Sequence, residues 1–148
     1  MIALIRYSRI RKRIPLHSTA VAKEMLAFQS PEEIERLLKD YQFTQHTANT
    51  ITDKEILLRE LKKVRQQGYA VDNQENEQGV RCIAVPIRDF DNKVIAAISI
   101  STLVSRVNVR ELERYIHLLM RKGSELSGEW GLHCLQAYIN DSRGLLKK

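Results

Sequence analysis

Glycine is scarce in this chain, with 6 in 148 residues, and neither a GxGxxG nor a GxxxxGK[ST] pattern occurs. A nucleotide-cradling glycine loop is therefore excluded. Cysteine is equally sparse: Cys82 and Cys134 stand alone, without CxxC spacing, so no disulfide framework is expected and both read as reduced thiols. The histidines at 17, 46, 117 and 133 form no HxH or HExxH pair, so neither a metal site nor a cofactor is expected. A nucleophilic Cys82 would need a base such as His17 or His46 in a local signature, and none is present, so no enzymatic activity is expected. No apolar run reaches the roughly 18 to 20 residues of a membrane span, and the basic start lacks a signal-peptide core, which makes a cytoplasmic location without membrane contact the expectation.

What is present suits one compact domain, with 43% hydrophobic residues and no low-complexity stretch. The formal charge is +6, and its placement matters more than its total. Arg6, Arg9, Arg11, Lys12 and Arg13 fall together without an acid, so almost all of the excess lies at the front. Such a strip can meet phosphates or acidic metabolites, or can simply blunt an exposed strand edge. Tyr7 is the only aromatic within it, too little for base stacking on single strands.

The opening IALIRYSRI reads as a strand, broken at Pro15. From Ser18 or Thr19 a short helix is expected to run to about Phe28, its N-terminus a candidate anion site. Ser30-Pro31-Glu32-Glu33 starts a second helix, and Thr52-Asp53-Lys54-Glu55 reads as a capping box for a third, closed by Gly68. Then the period changes. Tyr69–Val71, 80–87 and 94–101 read as strands, with Pro86 marking an edge or bulge and Asp89–Asn92 a four-residue hairpin loop. Asn108 with Glu111 caps a last helix whose Val109, Leu112, Ile116, Leu119 and Leu126 share one face. Residues 132–148 read as a tail or a short appended helix.

The hairpin carries the most informative geometry. With Arg88 opposite Lys93, Cys82 falls directly opposite Ser99 and Ser101 lies further along the same face. Such a patch suits the floor of a pocket for a small polar ligand, or simply marks small residues under a closely packed helix. A one-residue slip would separate the cysteine from both serines.

Two segments, Arg13-Ile-Pro-Leu-His-Ser-Thr-Ala20 and Gly68 to Ile87, resemble those of bacterial IclR-type transcription regulators. Arg13-Ile-Pro-Leu-His-Ser-Thr-Ala20, followed by Lys23, is similar to one family segment. Gly68 to Ile87, with Ala96-Ala-Ile-Ser-Ile-Ser101 and Ser105-Arg106 after it, is similar to another. The likeness spans about residues 5–131. It implies a partial effector-binding domain over residues 1–131: an α/β (α+β), GAF-like antiparallel sheet flanked by helices that forms dimers or tetramers. It also implies that DNA is bound only through a winged helix-turn-helix absent from this chain. In such domains a small carboxylate (glyoxylate, pyruvate or a sugar acid) rests on helix-start amides beside an Asp, a Cys and two Ser. The matching positions are Ala20 and Val21 for the amides, then Asp72, Cys82, Ser99 and Ser101. Asp72 on its own would read as a turn residue. Where the family often carries glycine this chain has Arg11, Ala20 and Ala22, which implies a tighter cradle. The alternative expectation is a truncated oligomerisation module that pairs with a full-length regulator and binds no small ligand.

Overall fold

The computed structural model describes the backbone of residues 13–145 and the side chains of residues 13–129. The expected first strand and most of the basic strip lie outside the described residues. Seven elements follow in order: α1 (Ala20–Ala27), α2 (Pro31–Leu38), α3 (Lys54–Gln67), β1 (Ala70–Asn73), β2 (Val80–Arg88), β3 (Val94–Leu103) and α4 (Val109–Leu145). The strands form an antiparallel sheet in the order β1-β2-β3. No helix among the described residues is long and apolar enough to cross a membrane.

Local chemistry sets most boundaries. Ser30 Oγ accepts the Glu33 amide at 3.2 Å at the start of α2. Asn108 and Glu111 exchange hydrogen bonds of 3.0 and 2.9 Å, a complete capping box for α4. For α3 the cap is Asp53, not Thr52, because Asp53 Oδ1 accepts the Ile56 amide at 2.9 Å. Glu55 then falls too early in the helix to reach back, and its charge favours the first turn in another way, by facing the positive end of the helix dipole. Gly68 ends α3 with φ of 79°, a left-handed conformation that glycine adopts without steric cost. The first of the three strands begins and ends later than Tyr69–Val71, at Ala70–Asn73.

The sheet separates two apolar layers. Alternation along β2 sends Ala84 to one side, where α1, α2 and α3 contribute Leu26, Ile34, Leu57, Leu61 and Val64, all buried. Ile83 and Val85 point the other way, onto Ile116 and Leu119 of α4. Val109, expected on the same face, is 67% exposed and does not join it. α4 runs unbroken to Leu145 and takes in most of the stretch read as a tail or a short appended helix, since the sequence there offers no proline and no clear cap to end it.

The hairpin register differs from expectation. Arg88 pairs with Val94, not Lys93, and Cys82 therefore faces Ser101 while Ser99 faces Ala84. Two features move it: the loop holds five residues, and a bulge sits between Ile87 and Arg88. Asp89 organises that loop, its Oδ1 accepting the amides of Asp91 and Lys93 at 3.0 and 2.9 Å, with Asn92 left-handed at φ 63°. Pro86 stands just before the bulge and beyond the end of β1, whose last partner is Ala84, so its missing N–H interrupts no β1 pairing.

Gly123 lets α4 lie close to β2. A Cβ there would stand 2.7 Å from Val85 Cγ2 and 3.2 Å from the Pro86 carbonyl oxygen. Gly123→Ala is expected to destabilise by about 1–3 kcal/mol although alanine is the better helix former, because a stiff buried valine and a backbone oxygen must both yield. Urea unfolding followed by circular dichroism checks this, and a stabilised variant would show that α4 sits further from the sheet.

Candidate functional site

The register places three polar side chains in one row across the sheet. Asp72 faces Cys82, and Cys82 faces Ser101. Cys82 Sγ and Ser101 Oγ are 3.0 Å apart and hydrogen-bonded. The neighbouring row is Ala70, Ala84 and Ser99. Asp72, Cys82, Ser99 and Ser101 therefore share the face that α1 covers, because the register moved by two residues and an even shift preserves the face.

Ala20 and Val21 are the first two residues of α1. Thr19 stands at the N-cap but its hydroxyl donates to the Pro15 carbonyl at 2.9 Å and makes no cap bond to the helix, and the first turn holds no acid. Among the described residues the helix start thus has no side-chain cap, and its first-turn amides suit an anion. The Val21 side chain lines an apolar cleft of about 240 Å³ with Ile14, Leu16, Met25 and Leu37.

Asp72 does act as a turn residue. Its Oδ1 accepts the amides of Glu75 at 2.7 Å and Asn76 at 3.3 Å, fixing the turn after β1. Burial pushes its carboxyl above the usual range, against the pull of those amides and of Lys23. Asn76 in turn accepts from Ser18 Oγ at 3.2 Å, which brings the approach to α1 against this turn.

The residues that hold this arrangement were not evident as a group from sequence. Lys23, with no exposed surface, donates to the Val71 carbonyl at 2.6 Å and to both oxygens of Glu75 at 2.8 and 2.7 Å. Burial raises the Glu75 carboxyl and the Lys23 charge opposes that rise. Thr50 and Thr47, from the loop before α3, donate to the backbone carbonyls of Glu75 and Gln74 at 2.7 and 2.6 Å. The only sequence signal was Lys23 within the family-like segment, because Glu75 sits among polar residues that read as a solvated turn. His17 is likewise structural. The Thr44 carbonyl can only accept, so Nε2 carries the proton at 2.9 Å, while Nδ1 accepts from Tyr41 Oη at 2.7 Å. Burial lowers its pKa, and His46, stacked at 5.7 Å between ring centroids, adds to the effect.

Glu24, beside Lys23, is treated in the opposite way. It is fully buried, and among the described residues neither carboxyl oxygen meets a hydrogen-bond partner. Burial pushes its pKa up to about 8, with Arg88 and the Ala70 backbone pulling the other way but without hydrogen-bonding geometry.

Helices packed on both faces of a three-stranded antiparallel sheet define the class of a mixed α/β domain. The family profile "Bacterial transcriptional regulator IclR C-terminal" matches residues 2–128, and the chain belongs to that family. It is 45% identical over 130 residues to the HTH-type transcriptional regulator XynR of Escherichia coli, covering 88% of this chain and 52% of that protein. The chain thus spans about half the length of that relative. Its fold matches the C-terminal domain of the E. coli transcriptional regulator KdgR with a TM-score of 0.76 and 40% identity, over 81% of this chain and 73% of that one. A third match is a double mutant of the PobR transcription factor inducer binding domain from Acinetobacter, solved in complex with 3-hydroxybenzoic acid. It gives a TM-score of 0.72 and 31% identity over 77% of this chain and 66% of that one. Such relatives are transcription regulators, not enzymes.

Two stability measurements test the buried charges. Lys23→Met is expected to cost about 3–5 kcal/mol in denaturant unfolding, because Glu75 is left buried and unpaired. Lys23→Met combined with Glu75→Leu should recover part of that loss, and strictly additive costs would refute the pairing. Glu24 binds a proton in the folded state between its ordinary pKa near 4.5 and about 8, so stability falls as pH rises through that window. Glu24→Gln should flatten the decline, with little change near pH 4 and a gain on the order of a few kcal/mol above pH 8. Parallel stability–pH curves for the two proteins would show that Glu24 is solvated.

Proposed function

We propose that this chain is the effector-sensing part of a bacterial transcription regulator, binding a small organic acid of the 2-oxo acid or sugar-acid type. The observation that carries this is the polar row Asp72–Cys82–Ser101, with Ser99 beside it, on the face beneath the uncapped start of α1. Helix-start amides at Ala20 and Val21 suit a carboxylate, while the cysteine, the hydroxyls and Asp72 suit the polar substituents next to it. The PobR domain, with its aromatic carboxylic acid, supports the same ligand chemistry here. DNA contact would fall to a helix-turn-helix unit, since the relatives are named HTH-type and this chain matches about half of their length. Among the described residues β3 pairs on one side only, which favours a homo-oligomer, and a cytoplasmic location fits the role.

A thermal-shift panel of 2-oxo acids and sugar acids tests the proposal. At a hundredfold excess over Kd, a true effector should raise the melting temperature by about 5 °C or more. Combined Ser99→Ala and Ser101→Ala should remove most of that shift in a protein that still folds. A shift of equal size in the double variant, or none in the parent chain, would sink the assignment.

A further inference from the structure

Glu24 carries a consequence beyond stability. Among the described residues this buried carboxyl has given up water for no hydrogen bond, only the pull of Arg88 and the Ala70 backbone, and groups kept in that condition gather where a ligand completes them. Its place is specific. Glu24 lies one helical turn beyond Ala20 on the same stripe of α1, and the start of that helix abuts the turn following Asp72. Its carboxyl approaches the Ala70 backbone, at one end of the row formed by Ala70, Ala84 and Ser99. Ala70 and Ala84 are fully buried and small, and Ser99 is the row's only hydroxyl.

We propose that Glu24 is a specificity-determining residue of the effector site, hydrogen-bonding the hydroxyl groups of a polyhydroxylated carboxylic acid whose carboxylate rests on the first-turn amides of α1. The proposal rests on the effector-site assignment above and narrows it. One helical turn advances about 5.4 Å, a distance that a five- or six-carbon sugar acid spans and a two- or three-carbon acid does not. Near neutral pH burial keeps the Glu24 carboxyl largely uncharged, so it does not repel an anionic ligand and can both donate and accept. A site built to pair with hydroxyls discriminates strongly against acids that lack them, because its own buried polar group is then left unmatched.

Titration calorimetry of the purified chain with sodium gluconate and sodium pyruvate tests this in the parent protein, Glu24→Ala and Glu24→Gln. Glu24→Ala should weaken gluconate about tenfold or more and leave pyruvate within about twofold. Glu24→Gln keeps the volume and one acceptor, so the ratio of the two affinities should fall by only about threefold, and it carries the comparison if the alanine variant does not fold. Equal weakening of both acids, or an unchanged ratio in the folded variants, overturns the proposal. A parent chain that binds pyruvate but not gluconate overturns it alone. A parent chain that binds neither acid nor any other in the panel overturns the effector-site assignment as well.

Discussion

The bond between Lys23 and Glu75 is the constraint on which the rest of the site depends. A lysine with no exposed surface must place its charge, and Lys23 does so by spending all three donors on one carboxylate and one β1 carbonyl. That fixes α1 against the turn after β1. The same turn is tied by Asp72 from within, by Ser18 through Asn76 from the helix side, and by Thr47 and Thr50 from the loop before α3. Each of these contacts is weak alone, and together they set how the open end of α1 meets the sheet. A buried ion pair is a poor source of net stability, but it is demanding about geometry.

Adjacent positions on α1 therefore show two treatments of buried charge. Lys23 is fully paired, and among the described residues Glu24 has no hydrogen-bond partner and a raised pKa. The first builds the site and the second leaves it incomplete. Under the proposed reading the helix is a scaffold at one residue and a recognition element at the next.

Much of this fold was legible in the sequence because its signals are local. The caps at Ser30 and Asn108, the glycine ending α3 and the strand alternation all depend on residues within a turn of one another. Where the structure departs, the cause is a choice between neighbours or a contact from far away. Asp53 displaces Thr52 as cap by one residue, and the hairpin loop gains a residue from the Asp89 side chain's hold on Lys93. Glu75 looked solvated because the threonines that bury it lie 25 and 28 residues earlier in the chain. The hairpin positions Cys82, Ser99 and Ser101 were readable as sharing a face, and the place of Asp72 in one row with Cys82 and Ser101 was not, since β1 pairing is invisible until the strands are placed.

Cys82 has a serine at two places on the strand opposite it, Ser99 and Ser101, and the hairpin loop chooses which of them it meets. Insertions and deletions at surface loops are among the commonest changes a lineage accumulates, and here a gain of two residues that keeps the loop geometry exchanges Ser101 for Ser99, whereas a loss of two sets Leu103 against Cys82. The duplicated serine acts as a spare part. The chemistry beneath α1 can thus outlast such a gain in a loop some distance away, and only an odd-numbered change would turn it to the wrong side of the sheet.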